Sequence, residues 1–225
     1  MYLHFPMNLS AIISQEEEKS LTALEGFFVL KWGGTNLPSH DLQHHRRVWT
    51  NIKEILNHCN DPDIDRARIS NLLMAAYLHD IGMAREQGVR HGFHGKKAAE
   101  EYISANRLKR KDYEEALNAI EFHDNKNYDN DSGNNPVLKI LSVADDLDAF
   151  GTTGIWRYME IYRARGIPEE IIGSRILENA ASRFENFKAF SSDKPLLFQK
   201  HRERYNVLKR HFGNYNQSMA EAGDK

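Results

Sequence analysis

What this chain has little of narrows its reading before any motif is considered. Cys59 is its only cysteine, so no disulfide can close within the chain and no thiolate cluster can hold zinc. That count fits a reducing compartment, and the cytoplasm is the expected location. An excess of one charge is missing too: 30 Lys and Arg stand against 32 Asp and Glu, a net −2 with histidine neutral. No global field therefore favours nucleic acid or an anionic membrane. No apolar run approaches the roughly 20 residues that a membrane helix needs. Residues 1–18, MYLHFPMNLSAIISQEEE, carry neither a basic flank nor a long apolar stretch and are not read as a signal peptide. Alternating β-branched runs and internal repeats are absent as well, which leaves helical periodicity as the regular signal. The remainder is ordinary globular composition, 40% hydrophobic and 28% charged over 225 residues, enough to bury a core without staples. Eleven histidines are the exception.

The stretch ISNLLMAAYLHDIGM, residues 69–83, organises the rest. Ile69, Leu72, Leu73, Ala76 and Asp80 recur at helical spacing, with His79 about 100° round the helix from Asp80. A carboxylate on such a stripe must be paired, hydrogen-bonded or metal-bound, because burying it bare is costly. Gly82 lets the chain turn away. Four other helices repeat this inward placement. His44 leads Val48, Ile52, Ile55 and Cys59 on a face from which His45, Arg46 and Arg47 fall away. His94 leads Ala98, Tyr102 and Ala105, and His123 closes the face of Tyr113, Ala116, Leu117 and Ile120. Asp145 and Asp148 follow Leu138 and Leu141.

Punctuation between these faces sets the remaining expectations. Ser14 and Glu17 form a capping box for a supporting helix that runs to Trp32, and Pro38-Ser39 begins the His44 helix. Asn60-Asp61-Pro62 is a break, REQGVRHGF a loop into His94, and DNKNYDNDSGNNP (residues 124–136) a mobile surface loop. Gly166 and Pro168 end one helix and start another; Ser191 to Pro195 breaks before the last helix; SMAEAGDK is a disordered tail. The expected fold is all-α, with about eight to ten helices. Residues 1–38 form an N-terminal helical extension, 39–150 the core, 151–217 further helices of the same domain and 218–225 the tail. The C-terminal third is poor in site-like residues, and either covers the site or forms a homodimer face.

Imidazole and carboxylate donors together suit borderline divalent ions such as Mn²⁺, Fe²⁺, Co²⁺ or Zn²⁺, with Mg²⁺ and Ni²⁺ kept in view. HHRRV (residues 44–48), LHDIG (78–82) and VADDLDA (143–149) resemble, in that order, the three signature segments of the HD-domain metal-dependent phosphohydrolase superfamily. The resemblance implies a compact multi-helix core whose metal is held by His44, His79, Asp80 and Asp145. His44 is preferred to His45 because it stands four before Val48, and Asp145 to Asp146 because it follows Ala144 and shares the Leu138–Leu141 stripe. LDAFGTTGI (147–155) also resembles a stretch in small bacterial HD proteins of unassigned substrate. By that likeness Asp148 either orients a ligand histidine from outside the ligand set or serves as a helix cap or salt bridge.

His94 and His123 resemble the extra histidines of two-metal members, for a second ion or a phosphate, with Asp80 bridging. His91 is the alternative to His94, although Gly92 beside it reads as loop; Asp124 is read as facing the loop. Met83-Ala84 occupies the place of the acidic pair of (p)ppGpp hydrolases, and the lysine of the cyclic-di-GMP branch and the dNTP triphosphohydrolase continuation are missing. The implied activity is hydrolysis of a nucleotide or other small phosphorylated metabolite, using one or two divalent ions per chain. Asp80, or a carboxylate outside the ligand set, takes the proton from water. Lys96, Lys97, Arg85 and Arg90 are placed to clamp phosphate, although a solvated basic face fits each one singly. Two other readings stand: an HD-fold di-iron oxygenase using all six donors, and a non-catalytic ligand-binding module, against which the complete ligand set argues.

Overall fold

The computed structural model describes residues 8–59, 64–124 and 135–223. Among them are nine α-helices, three short 3₁₀ turns and no strand, as the periodicity predicts. The helices are α1 (Leu9–Trp32), α2 (Leu42–Asn57), α3 (Arg66–Leu78), α4 (His91–Ala105), α5 (Glu114–Phe122), α6 (Pro136–Asp148), α7 (Gly151–Ala164), α8 (Glu169–Phe190) and α9 (Pro195–Gly223). None among the described residues is long and apolar enough to cross a membrane. The expected break at 60–62 and nearly all of the expected loop at 124–136 lie outside the described residues.

The chain divides into two compact units. Of the described residues the first takes 8–35, 64–124 and 135–141, the second 36–59 and 142–223, so the division falls inside α6. In the first unit α3 packs on α1 and α5. Ile69 and every residue from Asn71 to Leu78 are buried, so the single apolar stripe expected of α3 is too narrow: a helix apolar all round is a core helix. Its polar exception, Asn71, is satisfied by accepting from Ala116 N at 2.9 Å and donating to Asp112 O at 2.8 Å. The first helix begins at Leu9, not near Ser14. The Asn8 side chain caps it by accepting from Ser10 N, and an Asn cap one turn ahead of buried Ile12 and Ile13 overrides a capping-box pattern that lies inside the helix.

The segment expected to be a loop into His94 is shorter than its glycines suggest, because α4 already starts at His91. A Cβ on Gly92 would stand 2.3 Å from Glu121 O, and one on Gly82 2.0 Å from His91 O. These glycines let α4 press against α5 and against the turn after α3; close approach, not chain freedom, explains them.

In the second unit a 3₁₀ turn, Pro38–His40, precedes α2, whose cap is Asp41 accepting from His44 N at 3.1 Å. Gly151, at φ +71°, separates α6 from α7. The helices α7, α8 and α9 pack around Tyr158, Ile172, Ile176, Leu208 and Phe212. The last helix runs to Gly223, which corrects the tail expected from 218: Met219, Ala220 and Glu221 are good helix formers and extend it.

Candidate metal centre

In the first unit His79 ends α3, Asp80 follows it, His91 opens α4 and His123 ends α5; all four side chains are buried. Each histidine is aimed by its own backbone. The Nδ1 atoms lie 3.1 Å from Ala76 O, 2.8 Å from Gly88 O and 2.9 Å from Ile120 O, in every case the carbonyl three residues earlier. A carbonyl only accepts, so Nδ1 donates in each ring and Nε2 is the atom left to face the neighbouring groups. Those Nε2 atoms turn towards the Asp80 carboxylate: His79 is 3.3 Å from Oδ2, and His123 and His91 are 3.0 and 3.7 Å from Oδ1. His91 and His123 Nε2 stand 3.3 Å apart. His79, Asp80 and His123 offer ligand atoms that all lie within 4.8 Å of one another, close enough to hold a metal ion.

His94 is elsewhere. Its Nε2 lies 3.1 Å from Glu86 Oε2, so His91 takes the place expected of His94. Starting α4 at His91 puts that residue, not the one a turn later, beside α5. Asp124 is half exposed, with Oδ2 3.9 Å from His91 Nε2. Of the expected phosphate clamp, Lys96 is paired with Glu121 at 2.6 Å. Lys97 and the Arg90 guanidinium lie 4.5 and 5.5 Å from the Phe93 ring centre, and Arg85 is exposed.

The donors of the second unit are aimed by charged side chains. His44, fully buried on α2, has Nδ1 2.8 Å from Asp148 Oδ2. The same carboxylate accepts from Arg47 Nε at 2.8 Å and pairs with Arg157 Nη1 at 3.0 Å. Burial alone would raise the Asp148 carboxyl, but Arg157, His44 and Arg47 outweigh it and hold it well below the usual carboxylate range. Ionised, Asp148 only accepts, so the His44 proton sits on Nδ1 and Nε2 faces Asp145 Oδ1 at 3.6 Å. Asp148 is thus both the hydrogen-bond partner of His44 and the salt-bridge partner of Arg47 and Arg157. Asp145 Oδ2 and Asp146 Oδ1 share Arg183 Nη1 at 3.1 and 2.9 Å, and Asp146 Oδ2 accepts from Asn186 at 2.7 Å. Asp145 thus keeps an oxygen towards His44, and both oxygens of Asp146 are taken by α8. His45, expected to fall away from the buried face, is fully buried: α2 is covered broadly enough to include His45, Trp49, Ile52 and Leu56.

Arg157, Arg183 and Asn186 were missed in the sequence because they sit in the third of the chain that reads as poor in site residues. A signal existed in Asn179, Arg183 and Asn186, which recur at i, i+4 and i+7 on α8.

A profile of the HD domain matches residues 41–149, which contain all three motifs. Residues 41–149 are an HD domain. It opens at the cap of α2 and closes just after α6, and α7, α8 and α9 follow it. The fold extends past the HD domain: a structural-genomics target from Lactobacillus plantarum matches with TM-score 0.61 at 18% identity, over 91% of this chain and 98% of its own. A predicted HD superfamily hydrolase from an uncultured Thermotogales bacterium matches with TM-score 0.49 at 24% identity, over 83% of this chain and 97% of its own. No curated protein matches the chain.

Proposed function

We propose that the chain is a metal-dependent phosphohydrolase with metal-binding donors at His79 and Asp80 in the first unit and at His44 and Asp145 in the second, and with His91 and His123 serving a second ion or the substrate phosphate. The observation that carries this reading is the orientation imposed on the histidines. Four imidazoles give their Nδ1 proton to a backbone carbonyl or to Asp148 and turn Nε2 towards a carboxylate. Nε2 atoms so aimed, buried beside carboxylates, gain from a divalent cation, and an outer partner on Nδ1 is how proteins orient ligand imidazoles. The mixed nitrogen and oxygen set suits Mn²⁺, Fe²⁺, Co²⁺ or Zn²⁺, and the HD domain points the same way.

A divalent ion bound there would lower the pKa of a coordinated water and draw charge from phosphorus. The chain's own part is to fix the donors and exclude competing water. Asp80, with an oxygen on each side and three imidazoles around it, is the group placed to accept the proton of the attacking water. The substrate class is a small phosphorylated metabolite, with nucleotides the first to try. The test is metal analysis of the purified chain, then a phosphomonoester and nucleotide panel with added Mn²⁺ and Asp80→Ala as control. Metal-dependent phosphate release that disappears in Asp80→Ala supports the proposal. Two irons per chain with no phosphate release under any metal would replace it with the oxygenase reading.

A further inference from the structure

Asp145 is held by a side chain from a later helix. Among its contacts, Oδ1 faces His44 Nε2 at 3.6 Å, beyond hydrogen-bond length, and Oδ2 is held by Arg183 Nη1 at 3.1 Å. That guanidinium is itself pinned. Nη1 is shared with Asp146 Oδ1, and Nε donates to Asn179 Oδ1 at 3.1 Å, an atom that also accepts from the Tyr158 hydroxyl at 2.8 Å. Burial pushes the Tyr158 phenol far up, so its hydroxyl stays a donor. Asn186, one turn along α8, takes the remaining oxygen of Asp146. A row of side chains on α8, anchored on α7, thus sets the plane of one carboxylate on α6, and every member of the row lies beyond residue 149, where the HD domain ends.

We propose that Arg183 is a positioning residue for the metal ligand Asp145, holding Oδ2 so that Oδ1 is presented as a single-oxygen ligand on the His44 side. The inference rests on the metal-binding reading above. A planar guanidinium bonded through both Nε and Nη1 restricts the carboxylate in a way an ammonium cannot. A bare counter-charge would act in the opposite sense, since a cation beside the site repels the ion and its loss would tighten binding.

The experiment is calorimetric titration of the full chain, stripped with chelator, with MnCl₂. The variants are Arg183→Gln, Arg183→Lys, Tyr158→Phe and Asp145→Asn, each checked for its melting temperature. Positioning predicts that Arg183→Gln and Arg183→Lys both bind Mn²⁺ about 10–100-fold more weakly. Tyr158→Phe removes only a hydroxyl and keeps the fold intact even if the Arg183 variants do not fold. It should weaken binding about two- to fivefold, the worth of one neutral hydrogen bond. Mn²⁺ affinity unchanged or tightened in Arg183→Gln, wild-type affinity in Arg183→Lys, or no effect of Tyr158→Phe would each overturn the role of Arg183. If the wild-type chain takes up no Mn²⁺, or Asp145→Asn binds it as tightly as wild type, the metal reading itself fails and this inference with it.

Discussion

The two units aim their histidines by different means. In the first, His79, His91 and His123 are each turned by a carbonyl three residues back. In the second, His44 is turned by a carboxylate 104 residues away in sequence, which is itself held by Arg47 and Arg157. The first arrangement uses groups that every helical turn already supplies and asks nothing of neighbouring side chains. The second works only when several buried charges are present together, and a buried charge that loses its partner is expensive. Side-chain substitution around the site should therefore damage the second unit more readily than the first, except where it removes a ligand.

The largest expected effect is the exception. Asp80→Ala should bring metal-dependent phosphate release down to the uncatalysed background while the chain stays folded. Retained turnover would show that the first unit does not carry the chemistry. Next comes Asp148→Ala, which leaves the half-buried Arg157 without its carboxylate and frees the His44 ring. A loss of about 3–5 kcal/mol in urea unfolding is expected, mostly from Arg157, since Arg47 is over a third exposed and its share is screened. A loss under about 1 kcal/mol would end the ionic account of the second unit.

Within the first unit, Gly92→Ala should cost about 1–3 kcal/mol, because its methyl group would meet Glu121 O and push α4 off α5. His91→Ala should lower the metal content of the chain and His94→Ala should leave it unchanged, measured by elemental analysis. Equal losses would mean that the Glu86 partner of His94 is not its real role.

The smallest effect is one of pH. The His201 imidazole, with Nε2 3.5 Å from Oε2, partly opposed by burial and aided by Lys200, lowers Glu54 from 4.5 to about 2. Burial, helped by Arg204 Nη1 at 2.9 Å from Nδ1 and opposed by Glu54, lowers His201 below 6.5. Both groups bind protons less readily in the folded state. Their stability is complete above about pH 6.5 and falls with pH, first through the His201 window and then from 4.5 towards about 2. His201→Phe should flatten the first part of that slope in melting temperature against pH; an unchanged slope would assign it to other groups.

The contrast also explains what the sequence disclosed. Helix class, the Trp32 and Gly151 boundaries and the inward placement of His44, His79, Asp80, His123 and Asp145 were legible because periodicity within one helix reports which face is buried. His91 was masked because a glycine that permits close packing and a glycine that permits a turn look alike in one dimension. The cap at Asn8 was hidden by a stronger-looking pattern at Ser14. Arg183 was hard to read for a different reason: its guanidinium reaches carboxylates 37 and 38 residues away, and the spacing on α8 shows a face without naming its partner. What is aimed by the main chain can be read locally; what is aimed by distant charges cannot.

The carbonyl-to-imidazole contact of the first unit has a practical consequence. Each of the segments 76–79, 88–91 and 120–123 carries, within four consecutive residues, both the histidine and the group that sets its ring. Such tetrapeptides are portable: grafted at helix ends of an unrelated scaffold, they would bring their own alignment with them, leaving the engineer only the spacing between helices to solve.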